Sequence, residues 1–304
     1  MKEVLIIGAG QLGERSIQSL LHKNSKYKIS FYEKNIERSD FIKNTYNVNQ
    51  INSIDNLVRY DVIHVATTSK GRHEILKNNT IKKNCLVLVE KPTASNINEL
   101  KDQASWTNKQ NYLVNLNRRY FPVNQKIQEI LKGPFTLECF AKDLHIFGNI
   151  SHFLDLMRFF GVKSEYSIRL DDAFKIFDTK RSGYKDIRGK LILEYECGSK
   201  LSLIDDSEVN QQGYIYKYTY NNKVFSYNEL ERKILDNNLL DDSISPTTDL
   251  LKYHSELFEI VTKDFESNMC LLPNIYNVSN DNISAYKKIH EVFDISPDKI
   301  LPIS

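Results

Sequence analysis

The chain has 304 residues, long enough for about two domains, and its 41% hydrophobic content is enough for real cores. A formal net charge of +2, with Lys and Arg scattered rather than clustered, argues against nucleic acid as a partner. The first apolar run is short and flanked by Glu3, no stretch reaches membrane-spanning length, and Cys85, Cys139, Cys197 and Cys270 lie far apart without C-x-x-C spacing, so the sequence predicts no signal peptide, no membrane span, no metal site and a cytoplasmic protein with reduced thiols.

In chain order, residues 4–7 (V-L-I-I) read as a buried strand. G-A-G-Q-L-G follows at 8–13, a G-x-G-x-x-G, and residues 14–21 read as a helix with Ile17, Leu20 and Leu21 on one face. A second strand, 28–32, ends at Glu33, twenty residues past Gly13, where a dinucleotide-binding unit keeps the carboxylate for a ribose 2′-OH. Gly8 permits the tight turn, Gly10 lets the backbone approach a pyrophosphate, and Gly13 lets helix and strand pack closely. The helix N-terminus offers N–H groups to the phosphates. Strand, helix, strand and acid together predict dinucleotide binding. Glu33 favours NAD; Lys34 and Arg38 are near enough in sequence to take a phosphate should Glu33 turn away, which leaves NADP open.

Residues 36–46 read as a polar helix, and 53–58 are expected to add another helical turn. The buried-type strand 61–66 runs into T-T-S-K-G-R-H at 67–73, a loop that should border the cofactor because ligands of open α/β sheets lie outside the carboxyl ends of the strands. His64, inside that strand, reads as a packed core histidine. Strand 85–89 leads into E-K-P at 90–92, and a lysine at that strand end suits acid–base work or plain exposure equally. A helix at 96–108 and a strand at 112–115 complete the parallel sheet, and N-R-R-Y-F-P at 117–122 crosses to a second domain, dividing the chain into 1–117 and 118–304. Beyond it, strands are expected at 135–141, 166–170, 191–196, 200–204, 214–220 and 224–227, with hairpin turns at 197–199 and 221–222. A helix at 151–160 takes Ser151 as N-cap and Gly161 as stop, and helices at 249–265 and 281–293 close the chain. The alternating tyrosines from Tyr214 to Tyr220 read as sheet packing or an interface; an exposed Tyr-rich face would suit a dimer or tetramer. The fold class is α/β: an N-terminal doubly wound parallel sheet, then an α+β domain with a large, mostly antiparallel sheet.

G-A-G-Q-L-G at 8–13, A-T-T-S-K-G-R-H at 66–73, E-K-P at 90–92, N-R-R-Y-F-P at 117–122 and H-F-L-D at 152–155, in that order and at about that spacing, resemble the Gfo/Idh/MocA oxidoreductase family, the glucose–fructose oxidoreductase and inositol dehydrogenase group. The resemblance implies NAD or NADP held by Gly8, Gly10, Gln11, Leu12, Gly13, Glu33, Thr67, Thr68, His73, Glu90 and Lys91. It implies hydride transfer between nicotinamide and a carbinol or ketone carbon of a small molecule: a sugar, sugar nucleotide or cyclitol. It makes Lys91 and His152 the catalytic pair and puts Lys91, Arg119, Asp155 and His152 at the substrate. Lys91 would hydrogen-bond the reacting oxygen and His152 would take or give its proton; Asp155, three residues on, would orient His152 or simply suit the first helical turn. A homo-oligomer without membrane or nucleic-acid partners is implied as well. The family often has Asp four residues before the histidine; here that position is Gly148, with Asp143 and His145 just upstream as substitutes. That departure keeps two alternatives open: a reductase of a non-sugar C=N or C=C substrate, and a non-catalytic dinucleotide-binding protein.

Overall fold

Apolar runs too short for helices make the first sheet. β1 (Lys2–Ile7), β4 (Val62–Val65) and β5 (Leu86–Val89) are buried almost throughout, as strands covered on both faces must be. The computed structural model describes residues 1–22, 26–208, 212–240, 244–245 and 254–303. β2 (Tyr27–Tyr32), β3 (Asn49–Gln50) and β6 (Tyr112–Val114) complete a six-stranded sheet in the order β3-β2-β1-β4-β5-β6, every pair parallel. Between the strands run α1 (Gln11–His22), α2 (Ile36–Tyr46), α3 (Arg72–Asn78) and α4 (Ile97–Gln103). This is the doubly wound parallel fold expected from the sequence. Its strand order reverses between β1 and β4, so the crevice for a ligand opens at the carboxyl ends of those two strands. Residues 53–58 form no helix: Ser53 Oγ accepts from Asp55 N and Asn56 Oδ1 from Val58 N, local bonds that compete with helical ones.

After a 3₁₀ turn at Asn117–Tyr120 come α5 (Pro122–Ile130), β7 (Thr136–Ala141) and α6 (Ile146–Phe159). Then follow β8 (Tyr166–Leu170), β9 (Lys175–Asp178), β10 (Lys185–Tyr195), β11 (Lys200–Asp205), β12 (Ile215–Tyr220), β13 (Lys223–Asn228) and β14 (Lys233–Asn237). They make an eight-stranded sheet in the order β14-β13-β12-β7-β11-β10-β8, with β9 on β10 and only β7–β11 parallel. Asn221 and Asn222, at φ 48° and 62°, turn β12 into β13 as a two-residue hairpin whose left-handed backbone suits asparagine. The tyrosine face is not exposed. Tyr216 and Tyr218 are fully buried, Tyr216 stacks on Tyr227 at 5.0 Å, and Phe153 and Phe160 meet Tyr216 and Tyr218 at 6.1 and 5.8 Å. The aromatic ladder is therefore this unit's core and offers no surface for a second copy.

The predicted helix at 151–160 starts five residues earlier, at Ile146, which leaves Ser151 buried within it and puts His152 in the second turn. α7 (His254–Glu266) and α8 (Ile275–Phe293) close the chain; predicted residues 249–253 lie outside the described residues, and α8 starts before 281 because Asn274 Oδ1 caps it at Asn277 N, 2.9 Å. Contacts divide the chain into two compact units: Met1–Leu116 with Tyr253–Ile283 and Ser296–Ile300, and Asn117–Lys252 with Ser284–Ile295 and Leu301–Ser304. Residues 253–283 return to the first unit because α7 packs on α1 and because Ile275 and Val278 enter the core beneath β4, β5 and β6. A division drawn at 117/118 alone does not contain that return.

Candidate functional site

In the first unit the glycine loop and the loop after β4 meet at the switch point. Gly8 has φ +89°, and a Cβ there would lie 2.8 Å from Thr67 N; a Cβ on Gly13 would lie 2.0 Å from Gly8 O. Both glycines are thus required by packing. Gly10 differs: a Cβ would meet nothing within 4 Å, so the space over it is open. Gly10, Gln11 and Leu12 are exposed at the start of α1, where N–H groups and the helix dipole favour a phosphate. Thr67 Oγ1 is buried with no hydrogen-bond partner among the described residues, and Thr68 beside it is exposed. An open cradle above Gly10 and an orphaned hydroxyl at its edge fit a dinucleotide.

Glu33 reaches this loop from the end of β2. Its Oε2 accepts from Ala9 N at 2.8 Å and its Oε1 from Asn35 N at 2.9 Å. Arg38 grips the other side of the same residue, its Nε donating to Ala9 O at 2.7 Å and its Nη2 to Glu14 Oε2 at 2.5 Å. Tyr46 Oη donates to Glu14 Oε1 at 2.5 Å; that bond, with help from Arg38, holds the Glu14 carboxyl below its ordinary range.

The E-K-P turn is braced from three sides. His64, with no exposure, lies 2.9 Å from Glu90 Oε1 through Nε2 and 3.0 Å from Ser16 Oγ through Nδ1. Asn115 Nδ2 donates to Glu90 Oε1 at 2.7 Å. Arg72, buried at the start of α3, donates through Nη1 to the carbonyls of Glu90 and Pro92 and through Nη2 to that of Thr67. Lys91 stands half-buried in this turn, its peptide to Pro92 cis. Ser16, His64 and Glu90 line up like a nucleophile relay, yet Ser16 and His64 are wholly enclosed, so the row braces the sheet. His73 is not at this loop: its Nε2 is 3.1 Å from Asp102 and its ring stacks on Trp106 at 5.3 Å, both on the α4 side.

In the second unit, α6 carries His152 and Asp155. Asp155 accepts from Arg119 Nε at 2.9 Å and from Arg119 Nη2 at 2.6 Å, a bidentate pair. Burial pushes the Asp155 carboxyl up, against the pull of Arg119. Two of the four groups assigned to substrate by resemblance, Arg119 and Asp155, therefore hold each other, and His152 stands half-buried three residues before Asp155 on α6. Asp143 pairs with Arg188 at 2.8 Å. The backbone of Gly148 is held by a residue the sequence did not single out: Asp186 on β10 accepts from Phe147 N and Gly148 N, both at 2.9 Å. It caps a helix whose own N-cap, His145 at φ 52°, offers no side-chain bond. Sequence patterns do not single out Arg72 and Asp186 because each acts on backbone groups distant in sequence.

Residues 2–117 match the family model GFO_IDH_MocA, described as an oxidoreductase family with an NAD-binding Rossmann fold. The whole chain shares its fold with solved dehydrogenases and a reductase. UDP-N-acetylglucosamine 3-dehydrogenase of Acidithiobacillus ferrooxidans is similar at 14% identity and TM-score 0.67, over 94% of this chain and 96% of that one. Myo-inositol dehydrogenase of Corynebacterium glutamicum is similar at 13% and 0.67, over 94% and 95%. Biliverdin reductase of Synechocystis, solved with biliverdin and NADP+, is similar at 14% and 0.65, over 94% and 98%. No curated protein matches the sequence. The matched family is described as NAD-binding, which agrees with the dinucleotide cradle of the first unit, and among the described residues no helix is long and apolar enough to cross a membrane.

Proposed function

We propose that the chain transfers a hydride between a nicotinamide dinucleotide, preferably NAD, and a CH–OH or ketone carbon of a sugar, sugar nucleotide or cyclitol. The observation that carries the reading is the E-K-P turn: a lysine just past β5, in a turn whose Glu90 carboxylate is held by His64 and Asn115 and whose carbonyls are held by Arg72, with one strand between it and the strand of the glycine loop. The cofactor, when bound, supplies hydride exchange at C4 of its nicotinamide. Gly10 and the start of α1 take the pyrophosphate, and Glu33 accepts from the ribose hydroxyl. Lys91 donates to the reacting oxygen, and rigid support limits how far its amine strays. His152 accepts the proton in oxidation and returns it in reduction, as an imidazole can. The sugar dehydrogenases among the similar structures support the substrate class.

Lys91→Ala and His152→Gln test the reading. Each should keep NADH binding within a few-fold and lower kcat on the best sugar substrate by about 10²–10⁴-fold, the usual worth of a positioned proton donor. Full turnover by Lys91→Ala with cofactor bound would overturn it.

A second reading keeps the hydride and changes the acceptor to a non-sugar C=N or C=C bond. Its support is Gly148: α6 offers no carboxylate there, and Asp143 and Asp155 are each committed to an arginine. A substrate panel containing sugars, imines and a linear tetrapyrrole separates the two.

A further inference from the structure

We propose that Glu14 is a specificity-determining residue of the dinucleotide site, one that withholds Arg38 from a ribose 2′-phosphate and so selects the cofactor with a free 2′-OH. The inference deepens the cofactor assignment above and rests on it.

In this fold the ribose 2′ oxygen goes to the acid ending the second strand, here Glu33. Glu33 and Arg38 flank one residue, the carboxylate on Ala9 N and the guanidinium on Ala9 O. Arg38 thus stands on the same residue as the acid that takes the 2′ oxygen, and Lys34 is an exposed side chain on the turn between them. A 2′-phosphate brings about two negative charges and needs a planar donor set, which an arginine supplies better than a lysine.

Arg38 is already engaged. Nε is on Ala9 O, Nη2 is on Glu14, and the guanidinium lies 5.0 Å from the centre of the Phe41 ring. Glu14 is itself fixed by Tyr46, which Gln18 steadies with a 2.7 Å bond from Nε2. The carboxylates of Glu14 and Glu33 thus flank the one guanidinium and answer its charge, which is adverse to a phosphate. Two helices therefore cooperate: α1 supplies the acid that neutralises the base of α2. Neutralising Glu14 frees the charge of Arg38 while leaving Glu33 in place.

The test is binding to the intact chain, by calorimetry or nicotinamide fluorescence, with NADH and NADPH as probes. Wild type should prefer NADH. Glu14→Gln keeps the shape and loses the charge, and should narrow the NADH-over-NADPH preference about tenfold, the effect of one added charge-assisted contact. Adding Arg38→Met to Glu14→Gln should restore the preference. Arg38→Met alone should leave the preference near that of wild type, because the side chain is already withheld. An unchanged preference in Glu14→Gln, a gain that survives Arg38→Met, or equal binding of NADPH and NADH by wild type overturns the proposal while leaving the cofactor site intact. Binding of neither dinucleotide by wild type overturns the cofactor assignment and the proposal with it.

Discussion

The two glycines at the start of α1 do different work. Gly13 has no room: a methyl would press within 2.0 Å of the Gly8 carbonyl, which is backbone and cannot swing aside. Gly13→Ala should therefore separate α1 from β1 and cost about 1–3 kcal/mol of stability, the usual price of overpacking. Gly10 has no neighbour for a Cβ to strike and its φ is not in the left-handed region, so Gly10→Ala should leave stability within about 0.5 kcal/mol. Its cost appears only when a pyrophosphate must approach, as at least a tenfold loss in NADH affinity. Urea midpoints and NADH titrations of both variants check the contrast, and a Gly10→Ala protein with wild-type affinity would remove Gly10 from the binding site. The sequence could assign these roles because the fingerprint is local. It could not reveal that Glu90 is held by His64, since the two lie twenty-six residues apart, one on β4 and the other just past β5.

Elements were readable where their ends are marked by their own residues and unreadable where a distant residue supplies the mark. α2 runs over the residues expected, with Asn35 Oδ1 on Arg38 N at 2.8 Å as its cap. α6 misled because Ser151 is a good N-cap type inside the helix, whereas the real cap, Asp186, comes from a strand thirty-eight residues further on than Gly148. Removing it tests that account. Asp186→Asn offers one acceptor where two N–H groups need two, and should cost about 1 kcal/mol; Asp186→Ala should cost about 2–3 kcal/mol by leaving both unmet. Burial raises the Asp186 carboxyl above 3.8, against the bonds from Phe147 and Gly148 that pull it down. The native state therefore binds this proton more tightly than the unfolded chain. Its contribution is greatest below pH 3.8, falls as pH rises through the native value, and is constant above it. The stability gap between wild type and Asp186→Asn should narrow over that window, measured by urea unfolding at stepped pH; a gap that widens would contradict the raised value.

At the scale of the molecule, alternation of period two and period 3.6 separates a parallel from an antiparallel sheet in the sequence itself. The tyrosines of β12 could not be placed outside or inside by pattern alone, because a strand's alternation shows that one face is covered and not what covers it. α5 and α6 settle that by burying Tyr216 and Tyr218, where Asn124 Oδ1 accepts from Tyr218 Oη at 3.1 Å. The return of α7 and the start of α8 to the first unit was equally hidden, since an amphipathic helix does not name its partner. That return has a consequence for the cofactor. α7 packs on α1, and Phe258 lies 5.9 Å from His64, so the helix that begins at the glycine loop is backed by the end of the chain. Ligand binding to the native state stabilises it by an amount set by concentration over Kd, about 2.7 kcal/mol at a hundredfold excess. Hydrogen exchange with saturating NADH should slow at residues 8–14 and 66–72, which form the cradle, and also along 257–262, which support α1 from behind. Protection of the two loops without the α7 segment would show that the cradle closes on the cofactor locally; no protection at residues 8–14 would remove the dinucleotide from the switch point altogether.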